Sequence, residues 1–289
     1  MRLADALILT YLMIFSFPIY GKEGEEPPCD RGNFALPSSQ QPAPLISFGE
    51  NIIGRNQVQV FLFGDDYIGK NKHSVDLIPG ILYGITDDFS VFFNVPAAVS
   101  YKEGRSHSSG LGDLFLQLEY AIYTREASCI SDQVTIVANV SFPTGSSRKN
   151  PSTGVGAVGY FIGTTYNRTW ENWLCFTSYG AELPMSHQGT QFGNQFLYQF
   201  GFGRHIVNAR GWMFAWIVEL DGTFSARNRI NGILDPNSGG NVVYLTPSLW
   251  MSSKDWTLQV GLGHTVQQNL FGSQKRNEYL LCFNFGRTF

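Results

Sequence analysis

Apolar and polar residues alternate along one segment after another of this sequence. In the clearest segment, residues 114–122, the apolar positions 114, 116, 118, 120 and 122 alternate with Gln117 and Glu119. The last residues repeat the pattern: Tyr279, Leu281 and Phe285 share one parity, and the chain ends on Phe289. A two-residue period belongs to a strand with one apolar and one polar face. The chain is therefore predicted to be built from such strands.

We predict twelve strands, several of them about ten residues long, which is enough to cross a bilayer at a tilt. Charged residues make up only 15% of the chain, while Gly (31), Phe (23) and Tyr (13) are abundant. That composition suits strands that turn an apolar face outward better than a globule with a sealed core. The predicted strands cover residues 57–63, 76–85, 89–99, 114–122, 134–142, 155–167, 173–182, 195–203, 212–220, 242–250, 256–265 and 278–289.

The connections between these strands alternate in length. Short ones follow even strands, at 86–88, 169–172, 207–211 and 252–255, with a somewhat longer one at 124–131. Long ones follow odd strands, at 64–75, 101–110, 143–154, 183–193, 225–240 and 268–276. Outer-membrane barrels have short periplasmic turns and long external loops, whereas a soluble sandwich, the alternative, has no reason for this rhythm. The fold class is therefore all-β, a transmembrane antiparallel up-and-down β-barrel of 12 strands closed between residues 57–63 and the C-terminal strand.

The N-terminus predicts export. Arg2 precedes an apolar run from Ala6 to Ile19 that is short for a membrane span, so residues 1–21 resemble a signal peptide, with an uncleaved anchor as the alternative. Residues 22–55 are rich in Pro, Ser, Gln and Gly and predict an irregular, plug-like segment on the periplasmic side. Residues 56–289 form the barrel, which we place in the bacterial outer membrane.

Aromatic residues gather beside the short turns. Interfacial girdles place amphipathic rings at this level, although ordinary core packing is the alternative. The predicted girdle consists of Trp170, Trp173, Trp212, Trp250, Trp256 and Phe289. Arg287 is the misfit, because it shares the apolar parity of the last strand; near the rim it could extend to the head groups.

Two motifs carry a resemblance to a known family. Residues 109–120 contain Gly110-Leu111-Gly112-Asp113-Leu114, and the next strand ends in Phe142-Pro143-Thr144-Gly145, with a further Thr-Gly pair at 153–154. This pattern resembles the outer-membrane barrel family named after the meta-pathway of phenol degradation, whose members are transporter-like. The resemblance implies a barrel and a transport role, and no catalytic residue. Glu119 stands where that family more often has a basic residue.

The polar parity predicts the lumen lining. It is acidic to neutral, which favours cations or uncharged solutes over anions. The alternative is an internal network that fills the lumen, in which Asp113 caps a folded-in loop. The residues predicted to line the lumen or contact solute are Asp113, Gln117, Glu119, Asn139, Glu219, Asp221 and Glu278.

The cysteines have no metal-ligand spacing, so we predict neither a metal site nor a cofactor. Cys29 and Cys129 both fall on the predicted periplasmic side and could form a disulfide that ties the N-terminal segment to a turn. His107 and Ser109 invite a lipid hydrolase reading, but no orienting third group can be named, so we predict no enzyme.

The function indicated is a channel or facilitator for small solutes, including apolar or aromatic ones. The alternative is a structural or surface-interaction barrel with a plugged lumen, and an outer-membrane lipid hydrolase is a remote third possibility. Expected partners are the lipid bilayer, lipopolysaccharide through basic external loops, the solute, and the barrel-assembly machinery through the C-terminal strand. The net charge of −3 gives no reason to expect nucleic acid.

Overall fold

The computed structural model describes residues 29–49 and 52–289. The predicted signal peptide, residues 1–21, lies outside the described residues, as do residues 22–28. Within the described part, no helix is long and apolar enough to cross a membrane.

The chain forms a closed antiparallel barrel of 12 strands, as predicted. Its strands are β1 (Val58–Gly69), β2 (Lys72–Thr86), β3 (Phe89–Asn94), β6 (Leu114–Ala127), β7 (Ile130–Phe142), β8 (Gly159–Trp170), β9 (Trp173–Pro184), β11 (Gln195–Ala209), β12 (Trp212–Ser225), β15 (Gly240–Ser252), β16 (Trp256–Leu270) and β17 (Asn277–Thr288). Five further strands lie in the connections: β4 (Ala97–Glu103), β5 (Ser106–Leu111), β10 (Thr190–Gln191), β13 (Arg229–Ile230) and β14 (Ile233–Leu234).

Strands β1 and β17 close the barrel. Their register runs from Gln59 opposite Thr288 to Gly69 opposite Asn277, and β1 also pairs with β2. The predicted seam between residues 57–63 and the C-terminal strand is confirmed. The start of β1 and the end of β17 lie beside the tight turns, at the rim that we call the short-turn end. The opposite rim is the long-loop end.

Two connections predicted as long loops are mainly strand. Strands β1 and β2 continue through 64–75 and meet at Lys70-Asn71, where Asn71 adopts a left-handed conformation (φ 58°) suited to a tight turn. Residues 97–111 form the β4–β5 hairpin, which extends the wall because β4 also pairs with β2. The sequence predicted loops in these two segments because of their polar residues.

The outer wall is apolar and its short-turn end is rimmed by aromatic side chains. Trp173 stacks on Phe202 at 5.0 Å, and Trp256 stacks on Phe285 at 5.3 Å. The guanidinium of Arg287 lies 4.8 Å from the ring centroid of Trp256 and 4.6 Å from that of Phe289. Arg287 therefore stands on the outer face as a cation held between two rings.

The prediction for Trp250 was wrong, because this residue faces the lumen. Its side chain is 3% exposed and its indole N–H donates to Ser252 Oγ at 2.9 Å, while the neighbouring Leu249 points outward at 65% exposure. Thr246 and Ser248 share the parity of Trp250 and are also buried, which is the polar face of β15.

The N-terminal segment enters the barrel. Cys29 forms a disulfide with Cys129 in the turn between β6 and β7, so the predicted pairing is present. From there the segment passes two short 3₁₀ helices, Gly32–Phe34 and Ser38–Gln40, reaches the middle of the lumen near Leu45, and returns to β1. We call residues 29–49 and 52–57 the plug. The sequence predicted an irregular, plug-like segment on the periplasmic side, and the structure places its residues 45–48 at mid-barrel.

Candidate functional site

Glu219 holds the plug at mid-barrel. Its fully buried carboxyl group faces inward from the middle of β12 and accepts three consecutive backbone N–H bonds, from Leu45 (2.6 Å), Ile46 (3.1 Å) and Ser47 (3.1 Å). The Ser47 hydroxyl donates to Asp221 Oδ1 at 3.1 Å. Two of the predicted lumen acids thus bind the plug, Glu219 through backbone N–H groups and Asp221 through the Ser47 hydroxyl, and hydrogen bonds to charged groups are among the stronger ones.

Hydroxyl and amide groups of the wall also hold the plug at Phe48. The backbone N–H of Phe48 donates to Gln199 Oε1 at 3.1 Å, while the hydroxyl groups of Thr165 and Ser178 donate to the Phe48 carbonyl oxygen at 3.1 and 3.3 Å. The ring fits over Gly163, where an added Cβ would lie 2.5 Å from Phe48 Cε2. A small residue on β8 is therefore required for this ring to lie against the wall.

Three cavities follow one another along the lumen around the plug. The outer vestibule, about 440 Å³, lies towards the long-loop end and is lined by Leu197, Asp221, Tyr244 and Gln274 among others. The central chamber, about 290 Å³, lies between the plug and the wall of β1, β3 and β6. The inner cavity, about 260 Å³, opens at the short-turn end beside Asp87, Asp88 and Glu126.

Shared side chains mark the two places where neighbouring cavities meet. Ile46 and Tyr67 line both the outer vestibule and the central chamber. Plug residues line both the central chamber and the inner cavity, namely Ser38, Gln41, Ala43, Ile52 and Ile53. The outer vestibule and the central chamber therefore meet at Ile46 and Tyr67, and the central chamber and the inner cavity meet at the plug.

The central chamber has an aromatic side and an amide side. Phe61, Phe63, Phe92 and Phe115 form a continuous set, with centroid separations between 5.2 and 6.1 Å. The amide oxygens of Asn94 and Asn284, both buried in the same lining, have no hydrogen-bond partner among the described residues. The chamber therefore offers ring contacts together with acceptors for a hydrogen-bond donor.

Asp113 binds a loop rather than the lumen space. Its two carboxyl oxygens accept the backbone N–H groups of Gly145 (2.8 Å) and Val155 (2.6 Å), at the two ends of the 143–158 loop. Thr144 donates its hydroxyl to Gly112 O and accepts Leu114 N–H, both at 2.9 Å. The two sequence motifs that carried the family resemblance thus lock together, in agreement with a loop-capping Asp113.

The remaining predicted lumen residues fall in different places. Gln117 and Glu119 are buried and joined by a 2.5 Å hydrogen bond, and Asn139 lies beside Gln117 at 3.4 Å. These three form one cluster on β6 and β7, away from Glu219 and Asp221 on β12. Glu278 is exposed at the long-loop end and belongs to neither set.

The aromatic side of the chamber and Tyr67 were missed as functional residues. Strand parity could have found them, because an outward Val60 and Leu62 on β1 place Phe61 and Phe63 inside. His107 and Ser109 are exposed on β5, and Ser108 donates its hydroxyl to Pro151 O at 2.6 Å. These contacts assign no catalytic role, and the absence of enzyme activity stays a prediction.

Comparison with known proteins identifies related folds. No family model matches the chain, and no curated protein matches it. Among solved structures, the COG4313 outer membrane channel from Pseudomonas putida F1 is similar over 84% of this chain and 100% of its own, with a TM-score of 0.70 and 16% identity. This likeness shows the fold. The chain therefore has an outer-membrane type of β-barrel fold, and the narrower phenol meta-pathway assignment stays a prediction.

Two more distant barrels also match. The NanC porin is 12% identical, with a TM-score of 0.46, over 80% of this chain and 98% of its own. The beta domain of the Bordetella autotransporter BrkA is 10% identical, with a TM-score of 0.47, over 81% of this chain and 100% of its own.

Proposed function

We propose that this protein is an outer-membrane channel that lets small solutes pass beside its N-terminal plug. The observation that carries the proposal is the series of three cavities along the lumen, in which each neighbouring pair shares lining residues. A barrel whose interior is filled by side chains, as in eight-stranded examples, would not leave such a series. The plug narrows this route at two places.

The lining favours small, uncharged solutes with an apolar or aromatic part. A cavity of about 150 Å³ suffices for a benzene ring, and the central chamber measures about 290 Å³. Its aromatic side would contact the ring, and the amide oxygens of Asn94 and Asn284 would accept hydrogen bonds from a hydroxyl or amine group. Asp87, Asp88 and Glu126 at the inner cavity support the expected preference for cations over anions among ions.

The surroundings of the barrel complete the proposal. The apolar outer wall with its aromatic rim suits a bilayer, and export by residues 1–21 would deliver the chain to the outer membrane. Folding there would use the barrel-assembly machinery through the C-terminal strand. Lipopolysaccharide phosphates would meet basic residues of the long-loop end, including Lys102, Lys149 and Lys275.

A second candidate is a structural barrel whose plug never moves. The three backbone hydrogen bonds to Glu219 favour it, because they fix the plug across the middle of the lumen. The two candidates differ in conduction: a channel passes ions in discrete steps, and a sealed barrel does not.

Current recordings on the refolded protein in planar bilayers test the proposal. We expect small conductance steps, partial block by a small aromatic alcohol, and weaker block in Phe92→Ala, which removes a ring from the chamber. Leu249→Ala truncates an outward side chain on β15 and is the matched control, with block unchanged. A wild-type protein that inserts but never conducts would favour the structural barrel.

A further inference from the structure

A depression on the outer surface lies at the short-turn end of β8, β9 and β11. It measures about 520 Å³ and is lined by Cys129, Trp170, Glu171, Asn172, Trp173 and Phe202. We call it the rim groove. It lies outside the lumen, so the proposed channel does not use it.

Arg204 borders the rim groove on its β11 side. It stands directly opposite Trp173 on β9 and Trp216 on β12, and its guanidinium carbon lies 4.7 Å from the Trp173 ring centroid. Phe202, two residues earlier and on the same outward face, stacks on Trp173. An exposed cation is thus framed by three aromatic side chains on a largely apolar wall.

No carboxylate neutralises this cation. Ion pairs of the described residues include His73 with Asp66, Arg168 with Asp132, and Lys275 with Glu103, and no described carboxylate forms one with Arg204. The acidic residue of the groove, Glu171, has a carboxyl oxygen within 4.8 Å of the sulfurs of Cys29 and Cys129, on the turn side. The groove therefore keeps a positive charge on its β11 side.

An arginine on the lipid-facing side of a barrel is unfavourable at the bilayer midplane and far better tolerated near the interface. Near the interface the nearest abundant anion is the phosphate of a phospholipid, which a planar guanidinium binds through two parallel hydrogen bonds. Indole N–H groups add donors at this level. Phe202, exposed towards lipid, would contact the first carbons of the acyl chains.

We propose that the rim groove and Arg204 bind the phosphodiester head group of a membrane phospholipid. Arg204 holds the phosphate, Trp173 orients the guanidinium, and the groove receives the glycerol region. Charge complementarity selects this occupant over a second protein chain, because the site combines an unneutralised cation with rings that face lipid.

Native mass spectrometry of the full barrel in a non-ionic detergent tests the proposal. The probes are a short-chain phosphatidylglycerol, the diacylglycerol with the same chains, and inorganic phosphate. We expect one phosphatidylglycerol to bind well before further adducts, at least tenfold more tightly than diacylglycerol, with no adduct of inorganic phosphate. Equal binding of diacylglycerol would overturn the phosphate contact, and binding of inorganic phosphate alone would mean an anion site rather than a lipid site.

Variants locate the site. Arg204→Gln should weaken the first phosphatidylglycerol adduct about tenfold, and Arg204→Lys, which keeps the charge but loses the planar fork, should fall between. Arg210→Gln removes an exposed arginine from the adjoining turn and should bind like the wild type. Heat-modifiable migration on gels confirms that each barrel is folded. Unchanged binding in folded Arg204→Gln, or an equal loss in Arg210→Gln, refutes the assignment.

Discussion

Truncating Glu219 should release the plug from the middle of the lumen. The carboxyl group accepts three backbone N–H bonds from residues 45–47, and Glu219→Ala removes all three acceptor contacts. At a net contribution of about 1 kcal/mol for each bond, the loss is about 3 kcal/mol. That energy corresponds to a shift of roughly 150-fold in the ratio of bound to released plug.

Hydrogen–deuterium exchange of the folded barrel measures this shift. The amides of residues 45–47 should be protected in the wild type and should exchange about 150-fold faster in Glu219→Ala. Glu219→Gln keeps one carbonyl oxygen and should give an intermediate rate. Glu278→Ala removes an exposed glutamate of the long-loop end and should change nothing. Equal protection of residues 45–47 in Glu219→Ala and wild type would refute the role given to this carboxyl group.

Three further outcomes are expected. Asp113→Asn replaces one acceptor oxygen with a donor that faces a backbone N–H, so about 1–3 kcal/mol of loop stability should be lost. This loss should appear as faster proteolysis within residues 143–158. Equal cleavage rates in variant and wild type would contradict the role of Asp113. Cys29→Ser frees one end of the plug and should speed amide exchange in residues 31–41 while leaving the barrel folded; unchanged exchange would show that the disulfide does not hold the plug. Tyr67→Ala should raise single-channel conductance by widening the passage between the outer vestibule and the central chamber. Leu62→Ala, on the outward face of the same strand, should leave the conductance unchanged.

Strand parity predicted most of the barrel correctly. It placed Gln117, Glu119, Glu219 and Asp221 inside, where they are buried. Parity is a strong guide here because a shift of one residue along a strand would move each side chain to the lipid face. Trp250 was misplaced for the opposite reason: its residue type was given more weight than its parity with Thr246 and Ser248.

The plug could not be placed from the sequence. Its residues show no period of two or 3.6, and most of its anchoring bonds at mid-barrel use backbone N–H and C=O groups, which carry no residue signature. The sequence indicates Asp113 as a loop cap, because an acidic residue that follows Gly110 and Gly112 at the start of a strand suits that role. Its actual partners, the N–H groups of Gly145 and Val155, depend on how the loop folds back.

Single-channel recording of the wild-type protein tests the central claim most directly. If solutes pass the plug through the three cavities, the inserted barrel will show small, discrete current steps, with a reversal potential on the cation side in a salt gradient. Inserted barrels that stay silent in the wild type, in Tyr67→Ala and in Glu219→Ala alike would contradict the channel account.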